Sequence, residues 1–179
     1  MRIEIAALTT LPEIQPHDDL ARLIDEAATR EAQAIDASVL LAVAQKIVSK
    51  AEGCVVDLRT ISPSSIACRW AQEWDKDPRL IELILSQSRR IVKMDRGVLI
   101  AETAHGFICA NAGVDQSNAG GGHLATILPP DPDASAEQLR QALGCGVVLI
   151  TDTFGRPWRE GLVDVAIGVA GLELSLIHI

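Results

Sequence analysis

A short apolar run, Gly146–Asp152, predicts a strand that other parts of the chain must cover. Aliphatic residues fill the run up to Ile150, and it ends on Thr151 and Asp152. Apolar residues at consecutive positions are typical of a buried strand, whereas a half-exposed strand alternates with polar residues. Asp152, at the end of this strand and beside Thr153, is suited either to bind a hard cation through oxygen or to cap a turn or helix.

A second carboxylate stands in a similar place. Asp115 follows a stretch of small and apolar residues and precedes Ser117 and Asn118. It is either a turn-capping carboxylate or a ligand of a divalent cation. Two such strand ends in one chain favour the cation, with Asp115, Asp152 and Thr153 as oxygen ligands and a phosphorylated ligand supplying the rest.

Three basic residues are candidates for binding the anionic part of such a ligand. Lys50 follows a predicted buried strand and precedes a glycine, and it either reaches a phosphate as a point charge or is a solvated surface lysine. Arg156 and Arg159 flank a Pro-Trp pair. They either grip a carboxylate or phosphate, or are exposed side chains around a packed Trp158. The sequence identifies no side chain as the catalytic acid or base.

The composition limits the class of protein. With 179 residues, 48% of them hydrophobic, the chain can form one domain or two small ones with a substantial core. A net charge of −8 argues against a nucleic-acid-binding face, and 3% aromatic residues offer few surfaces for stacking bases. Four widely spaced cysteines without a CxxC motif, no apolar leader and no membrane-spanning run predict a cytoplasmic protein.

Hydrophobic periodicity and turn residues predict strands and helices in irregular alternation. A hairpin is expected around Asp95–Gly97, and a capping box at Ser135–Gln138 is expected to start a helix. This order favours an α+β or mixed α/β fold, with mixed sheets and flanking helices, over a doubly wound sheet. Helices are expected to begin at Asp18 or Asp19 and near Ser64, Asp77 and Ser135. Strands are expected at Arg2–Ala7, Val39–Ala44, Val55–Leu58, Ile91–Met94, Val98–Ala101, Phe107–Ala110, Thr126–Leu128, Gly146–Asp152 and Val163–Val169.

A series of motifs follows in order through nearly the whole chain. They are LPEI at Leu11–Ile14 with Asp18–Leu20, AQKIVSKAEG at Ala44–Gly53, HGFICANAGVDQSN at His105–Asn118, LPPDPDASA at Leu128–Ala136, and TDTFGRPWREG at Thr151–Gly161 with DVAIGVAG after it. Together they resemble the coenzyme F-420-0:L-glutamate ligase family, also called the F-420-0:gamma-glutamyl ligase family. LPEI alone means little, whereas the last two long motifs are highly specific.

That resemblance implies a GTP-dependent ligase with a gamma-glutamyl ligase-like mixed fold. Such an enzyme adds L-glutamate to a deazaflavin precursor through gamma-linked amide bonds, needs Mg or Mn, is aided by potassium, and works as a homodimer on small molecules. The expected route is phosphorylation of a carboxylate by GTP, followed by attack of the glutamate amine on the acyl phosphate.

Matching by position carries the family's site residues onto this chain. GTP contacts fall on Leu11, Pro12, Glu13, Ile14, Gln45, Lys50 and Asn118, and divalent-cation contacts on Asp115, Asp152 and Thr153. At the position of Gln45 many relatives have Ser. Arg156 and Arg159 are candidates for an anionic group of the acceptor from their residue type alone.

The end of the chain departs from the family pattern. Relatives continue beyond Leu172 with further metal and nucleotide contacts, whereas the final residues, Ser175–Ile179, match no family motif. The expected organisation is a ligase domain at residues 1–171, incomplete at its C-terminal end, and a non-native tail at residues 172–179. Two alternative functions follow: another metal-dependent phosphoryl-transfer enzyme, or an inactive truncated remnant.

Overall fold

The computed structural model describes residues 3–95, 97–117, 122–155 and 162–172. Contacts divide the chain into two compact units. The first unit takes its described residues from 1–53, 129–152 and 166–179, and the second from 54–128 and 153–165. Each unit combines helices with strands, and the prediction of an α+β fold with mixed sheets and flanking helices is confirmed.

The regular elements are numbered in chain order. The helices are α1 Leu20–Arg30, α2 Gln45–Ala51, α3 Ser65–Trp74, α4 Pro78–Ser86 and α5 Pro132–Leu143. The strands are β1 Leu40–Ala44, β2 Val55–Asp57, β3 Ser88–Asp95, β4 Val98–Thr103, β5 Ile108–Ala110, β6 Leu124–Thr126, β7 Val147–Gly155 and β8 Leu162–Ala170. The strands form sheets in the orders β1-β7-β8, β2-β6 and β3-β4-β5.

The sheet β1-β7-β8 lies mostly in the first unit. β1 pairs with β7 in parallel, with Leu40 opposite Val147. Val148 and Ile150 on β7 are both 0% exposed, which confirms the predicted buried strand. β1 is confirmed as a strand, but the prediction that it is buried is wrong, because it forms the edge of the sheet and leaves Leu40 54% exposed.

Two helices of the first unit begin at aspartate caps. The side chain of Asp19 accepts a hydrogen bond from the backbone of Arg22 and starts α1, as predicted. The predicted capping box at Ser135 is wrong, because α5 begins one turn earlier. There Asp131 caps the helix and Pro132 occupies the first helical position, where its missing N–H costs no hydrogen bond.

The second unit is built on hairpins and two helices. β3 and β4 pair antiparallel with Asp95 opposite Val98, which confirms the predicted hairpin, and β5 extends that sheet. Ser64 and Asp77 cap α3 and α4 with their side chains, as their sequence pattern predicts. The buried core consists of Leu58, Ala67, Ala71, Ile81, Leu83, Ile84, Leu99, Ala101, Ala112, Val114 and Ala125.

Three local predictions are wrong or incomplete. Residues 3–7 form no strand, and Ile3 and Ile5 are 72% and 93% exposed, because alternation specifies a strand only where a partner strand covers one face. The short strand expected at Thr126–Leu128 lies two residues earlier, and α2 was not anticipated at all. None of the helices in the described ranges combines the length and apolar character that a bilayer crossing requires.

Candidate functional site

The segment Thr9–His17 is tied down at both ends within the first unit. The backbone N–H groups of Thr9 and Thr10 each donate to Glu31 Oε1, at 2.7 Å. At the other end, the backbone N–H of His17 donates to the carbonyl of Ala51, at 2.9 Å. These hydrogen bonds attach the segment to the C-terminal ends of α1 and α2, so it has a defined path although it contains no helix or strand.

Within this segment lie the predicted nucleotide contacts Leu11–Ile14. Ile14 is 3% exposed and anchors the segment in the core, Leu11 is half-buried, and Pro12 and Glu13 are exposed. Next along the chain, the backbone N–H of Gln15 donates to the Asp18 carboxylate at 2.8 Å. One buried anchor and several backbone hydrogen bonds thus present Pro12 and Glu13 to solvent.

Lys50 is joined to Glu13 by an ion pair between its ammonium group and the Glu13 carboxylate. The prediction that Lys50 lies at a strand end is wrong, because it stands in the last turn of α2. The alternative of a solvated surface lysine is also wrong, because Lys50 is only 7% exposed. The fold therefore brings together two predicted nucleotide contacts that are far apart in the sequence.

Gln45 opens α2 and is 4% exposed. Its side-chain N–H donates to the hydroxyl of Ser49 one turn later, at 2.5 Å, and Ser49 is fully buried. A buried amide and hydroxyl that are hydrogen-bonded to each other fix the first turn of the short helix that carries Lys50.

Asp115 lies in the second unit, two residues after a short 3-10 helix at Asn111–Gly113. The prediction that it lies at a strand end is wrong, because this helix separates it from β5. The Asp115 backbone exchanges hydrogen bonds with Thr126 in both directions, at 3.0 and 2.7 Å. Its carboxylate accepts from the backbone N–H and the hydroxyl of Ser117, at 2.7 and 2.8 Å. The turn-capping role that the sequence allowed is therefore present, and the carboxylate is half-buried.

Asp152 and Thr153 are consecutive residues of β7, with Asp152 in the first unit and Thr153 in the second. The prediction that Asp152 ends the strand is wrong, because β7 continues to Gly155. The Thr153 hydroxyl donates to the carboxylate of Asp164 on β8, at 2.8 Å. The sequence analysis did not identify Asp164 as a site residue, although Asp164 is the first residue of the DVAIGVAG motif. An acidic residue at the start of a largely apolar strand was the available signal.

The divalent-cation assignment of Asp115, Asp152 and Thr153 stays a prediction. Across the described ranges, no three His, Cys, Asp or Glu side chains are grouped so that they could hold a metal ion by themselves. The predicted ligand set has only two carboxylates, with a threonine hydroxyl and phosphate oxygens as the other ligands, so this observation does not test it. Asn118, Arg156, Arg159 and all of the predicted tail at residues 172–179 except Leu172 lie outside the described residues.

Comparison with known proteins gives one consistent result. The model of the family described as F420-0:Gamma-glutamyl ligase matches residues 9–177. A protein of Methanothermobacter thermautotrophicus named coenzyme F420:L-glutamate ligase is 44% identical over 178 residues, which cover 97% of this chain and 70% of that protein. Proteins of the same name from Methanopyrus kandleri and Natronomonas pharaonis are 46% and 42% identical, each over 97% of this chain and 68% of the relative.

The matched range includes every residue that the sequence assigned to nucleotide, metal or anion binding, from Leu11 to Arg159. The identity is high and extends along nearly the whole chain. This chain therefore belongs to the F420-0:Gamma-glutamyl ligase family.

Proposed function

We propose that this protein is a GTP-dependent ligase that adds L-glutamate to coenzyme F420-0 through gamma-glutamyl amide bonds. The observation that carries the proposal is the family match over residues 9–177, which spans all the predicted site residues. The relatives are named for ligation of coenzyme F420 with L-glutamate, and their similarity covers 97% of this chain.

The nucleotide would bind at the segment Leu11–Ile14 and at Lys50. A buried ammonium group beside an exposed, tethered loop supports this assignment, because a desolvated lysine attracts phosphate more strongly than one in water. Gln45 and Asn118 would complete the contacts. We further propose that Arg156 or Arg159 binds an anionic group of the acceptor.

The oxygen ligands for Mg or Mn would come from Asp115, Asp152 and Thr153. Their chemistry fits a hard cation, because carboxylate and hydroxyl oxygens are the ligands that such a cation prefers, and the Thr153 hydroxyl donates its proton to Asp164. When bound, the divalent cation would neutralise charge on the triphosphate. Potassium would be a second cation that aids the reaction.

The reaction would proceed in two balanced steps. A carboxylate oxygen of the acceptor attacks the γ-phosphorus of GTP, the bond to the β-phosphate oxygen breaks, and GDP leaves. The amine of glutamate then attacks the carbonyl carbon of the acyl phosphate, inorganic phosphate leaves, and the amine proton passes to water. The chain's own contribution would be to position the two anions, with Lys50 holding a phosphate oxygen.

The test is mass spectrometry of coenzyme F420-0 incubated with this chain, GTP, Mn and L-glutamate. The expected product is heavier by one or more glutamyl residues, with one GDP released for each residue added. GDP release that does not depend on glutamate, without a heavier product, would instead identify a nucleotide hydrolase. Light scattering of the purified chain tests the homodimer that accompanies the proposal.

A further inference from the structure

The Lys50–Glu13 ion pair is strongly asymmetric. The Lys50 side chain is 9% exposed, whereas the Glu13 side chain is 71% exposed. A buried ammonium group needs an anion beside it, because the charge has lost most of its water. Glu13 supplies that anion, but its own carboxylate remains accessible to solvent on the other side.

The backbone around Glu13 holds its position without help from the ion pair. Thr10 is bonded to Glu31 on one side, and Ile14 is buried on the other. Glu13 can therefore leave Lys50 by rotating its side chain, and it recovers full hydration when it does so. Lys50 cannot follow, because its stem is enclosed within the first unit.

We propose that Glu13 is a displaceable counter-ion: it neutralises Lys50 in the ligand-free protein and gives way to a phosphate oxygen when a polyphosphate binds. The inference rests on the proposed function, and it adds a role for the Glu13 carboxylate. If this carboxylate stayed in place, it would repel the arriving phosphate. If it moves away, Lys50 has an anion beside it in both states: Glu13 in the ligand-free protein and a phosphate oxygen in the complex. The exchange also favours polyanions over singly charged anions, because a ligand must outcompete a carboxylate that is already in position.

The test uses inorganic triphosphate as the probe and isothermal titration calorimetry as the readout. Glu13→Gln removes the competing charge, so triphosphate should bind about tenfold more tightly than to the wild type. Without ligand, the same variant should melt at a lower temperature, and saturating triphosphate should restore more of its stability than it adds to the wild type. Glu13→Asp keeps the charge on a shorter arm and should give an intermediate affinity.

Two controls separate displacement from a general change in charge. Glu26→Gln removes one negative charge from an exposed glutamate of α1 that pairs with Arg22, and it should leave triphosphate affinity unchanged. In a Lys50→Met background, Glu13→Gln should produce no gain. An equal gain in that background, a gain in Glu26→Gln, or unchanged or weaker binding in Glu13→Gln would each overturn the inference.

The outcome is independent of the ligase reaction. Triphosphate binding is measured without coenzyme F420-0 or glutamate, so absence of a glutamylated product leaves the Glu13 result readable. Conversely, a wild-type chain that forms product while Glu13→Gln shows no gain in affinity would keep the proposed function and remove the counter-ion role.

Discussion

The hydroxyl of Thr153 on β7 donates a 2.8 Å hydrogen bond to the carboxylate of Asp164 on β8. A threonine hydroxyl has one proton, and this hydrogen bond directs that proton towards Asp164. Asp164 thereby orients a predicted cation ligand, as partners of metal ligands commonly do. This relationship links the two long motifs at the end of the matched range.

Replacement of Asp164 by Ala should weaken the Mn binding that we propose for Thr153. Without its acceptor the hydroxyl can rotate, and the Mn concentration for half-maximal activity should rise about tenfold, within the range typical of such outer partners. Turnover measured against Mn concentration checks this. Thr153→Ser should keep the wild-type Mn dependence and Thr153→Val should lose activity; an unchanged Mn dependence in Asp164→Ala would contradict the role.

Replacement of Lys50 by Met should weaken GTP binding. Methionine fills a similar volume but removes a charge-assisted hydrogen bond worth roughly 1.5–3 kcal/mol, so the dissociation constant should rise about 10- to 100-fold. Equilibrium dialysis with GTP measures the effect. Lys93→Met, at a side chain of β3 that is 55% exposed, is the control for loss of one positive charge and should bind as the wild type does.

Replacement of Asp115 by Asn distinguishes the turn-capping role of this residue from its proposed role as a cation ligand. Asparagine keeps an oxygen that can accept from the Ser117 backbone, so the free energy of unfolding should change by less than about 1 kcal/mol. Loss of the negative charge should nevertheless reduce Mn-dependent turnover by at least about 100-fold, on the scale of other preorganised charge contacts. Wild-type turnover in Asp115→Asn would remove Asp115 from the cation site.

Glycine 113 should be required for the turn that leads to Asp115. Gly113 has φ +74°, and a Cβ there would lie 2.6 Å from Leu128 Cγ, whereas Gly106 has φ +87° and open space around the same position. Gly106→Ala should cost about 1 kcal/mol for the backbone conformation alone, and Gly113→Ala about 2 kcal/mol more because of overpacking. Urea unfolding measures both, and equal costs would show that Leu128 yields freely.

Acid should remove part of the stability that Glu137 provides on α5. Hydrogen bonds from Arg140 and then from Gln141 lower the pKa of the Glu137 carboxyl from 4.5 to about 2. A lowered pKa contributes stability above pH 4.5, and this contribution is lost as the pH falls from 4.5 to about 2. Glu137→Gln should therefore melt below the wild type near neutral pH.

The difference in melting temperature between Glu137→Gln and the wild type should shrink as the pH approaches 2. Arg140→Gln removes the first of the hydrogen-bond donors to Glu137. In a chain that carries Arg140→Gln, the further substitution Glu137→Gln should therefore lower the melting temperature by less than it does in the wild type. Melting curves recorded from neutral to acidic pH provide the measurement. A difference that stays constant with pH would show that the hydrogen bonds do not act through the ionisation of Glu137.

The sequence predicted best where one local pattern decides the outcome. The strand at Gly146–Asp152 was predicted as buried because its residues 147–150 are consecutively apolar and leave no alternating polar face. Caps at Asp19 and Asp77 followed from side chains that can bond to the first turn. The error at Ser135 has the same origin, since Asp131-Pro132 offered a stronger start one turn earlier.

The site was harder to predict because its contacts join distant parts of the chain. Lys50 and Glu13 were both predicted as nucleotide contacts, but only the packing of the loop against α2 shows that their side chains form an ion pair. Asp164 was missed for a similar reason, since its partner Thr153 lies on the neighbouring strand. Ile3 and Ile5 illustrate the opposite kind of error. Their alternation with polar residues predicted a strand, but the residues around them form none.

The parallel pairing of β1 with β7 also constrains the order in which the protein acquires its structure. Leu40 and Val147 lie about a hundred residues apart, so a chain emerging from the ribosome must have extended past Val147 before this sheet can close. The hairpin β3–β4 pairs residues only a few positions apart at its turn and can form much earlier. Until then β1 lacks its partner strand β7, and an unpaired strand of this kind can pair with strands of other chains.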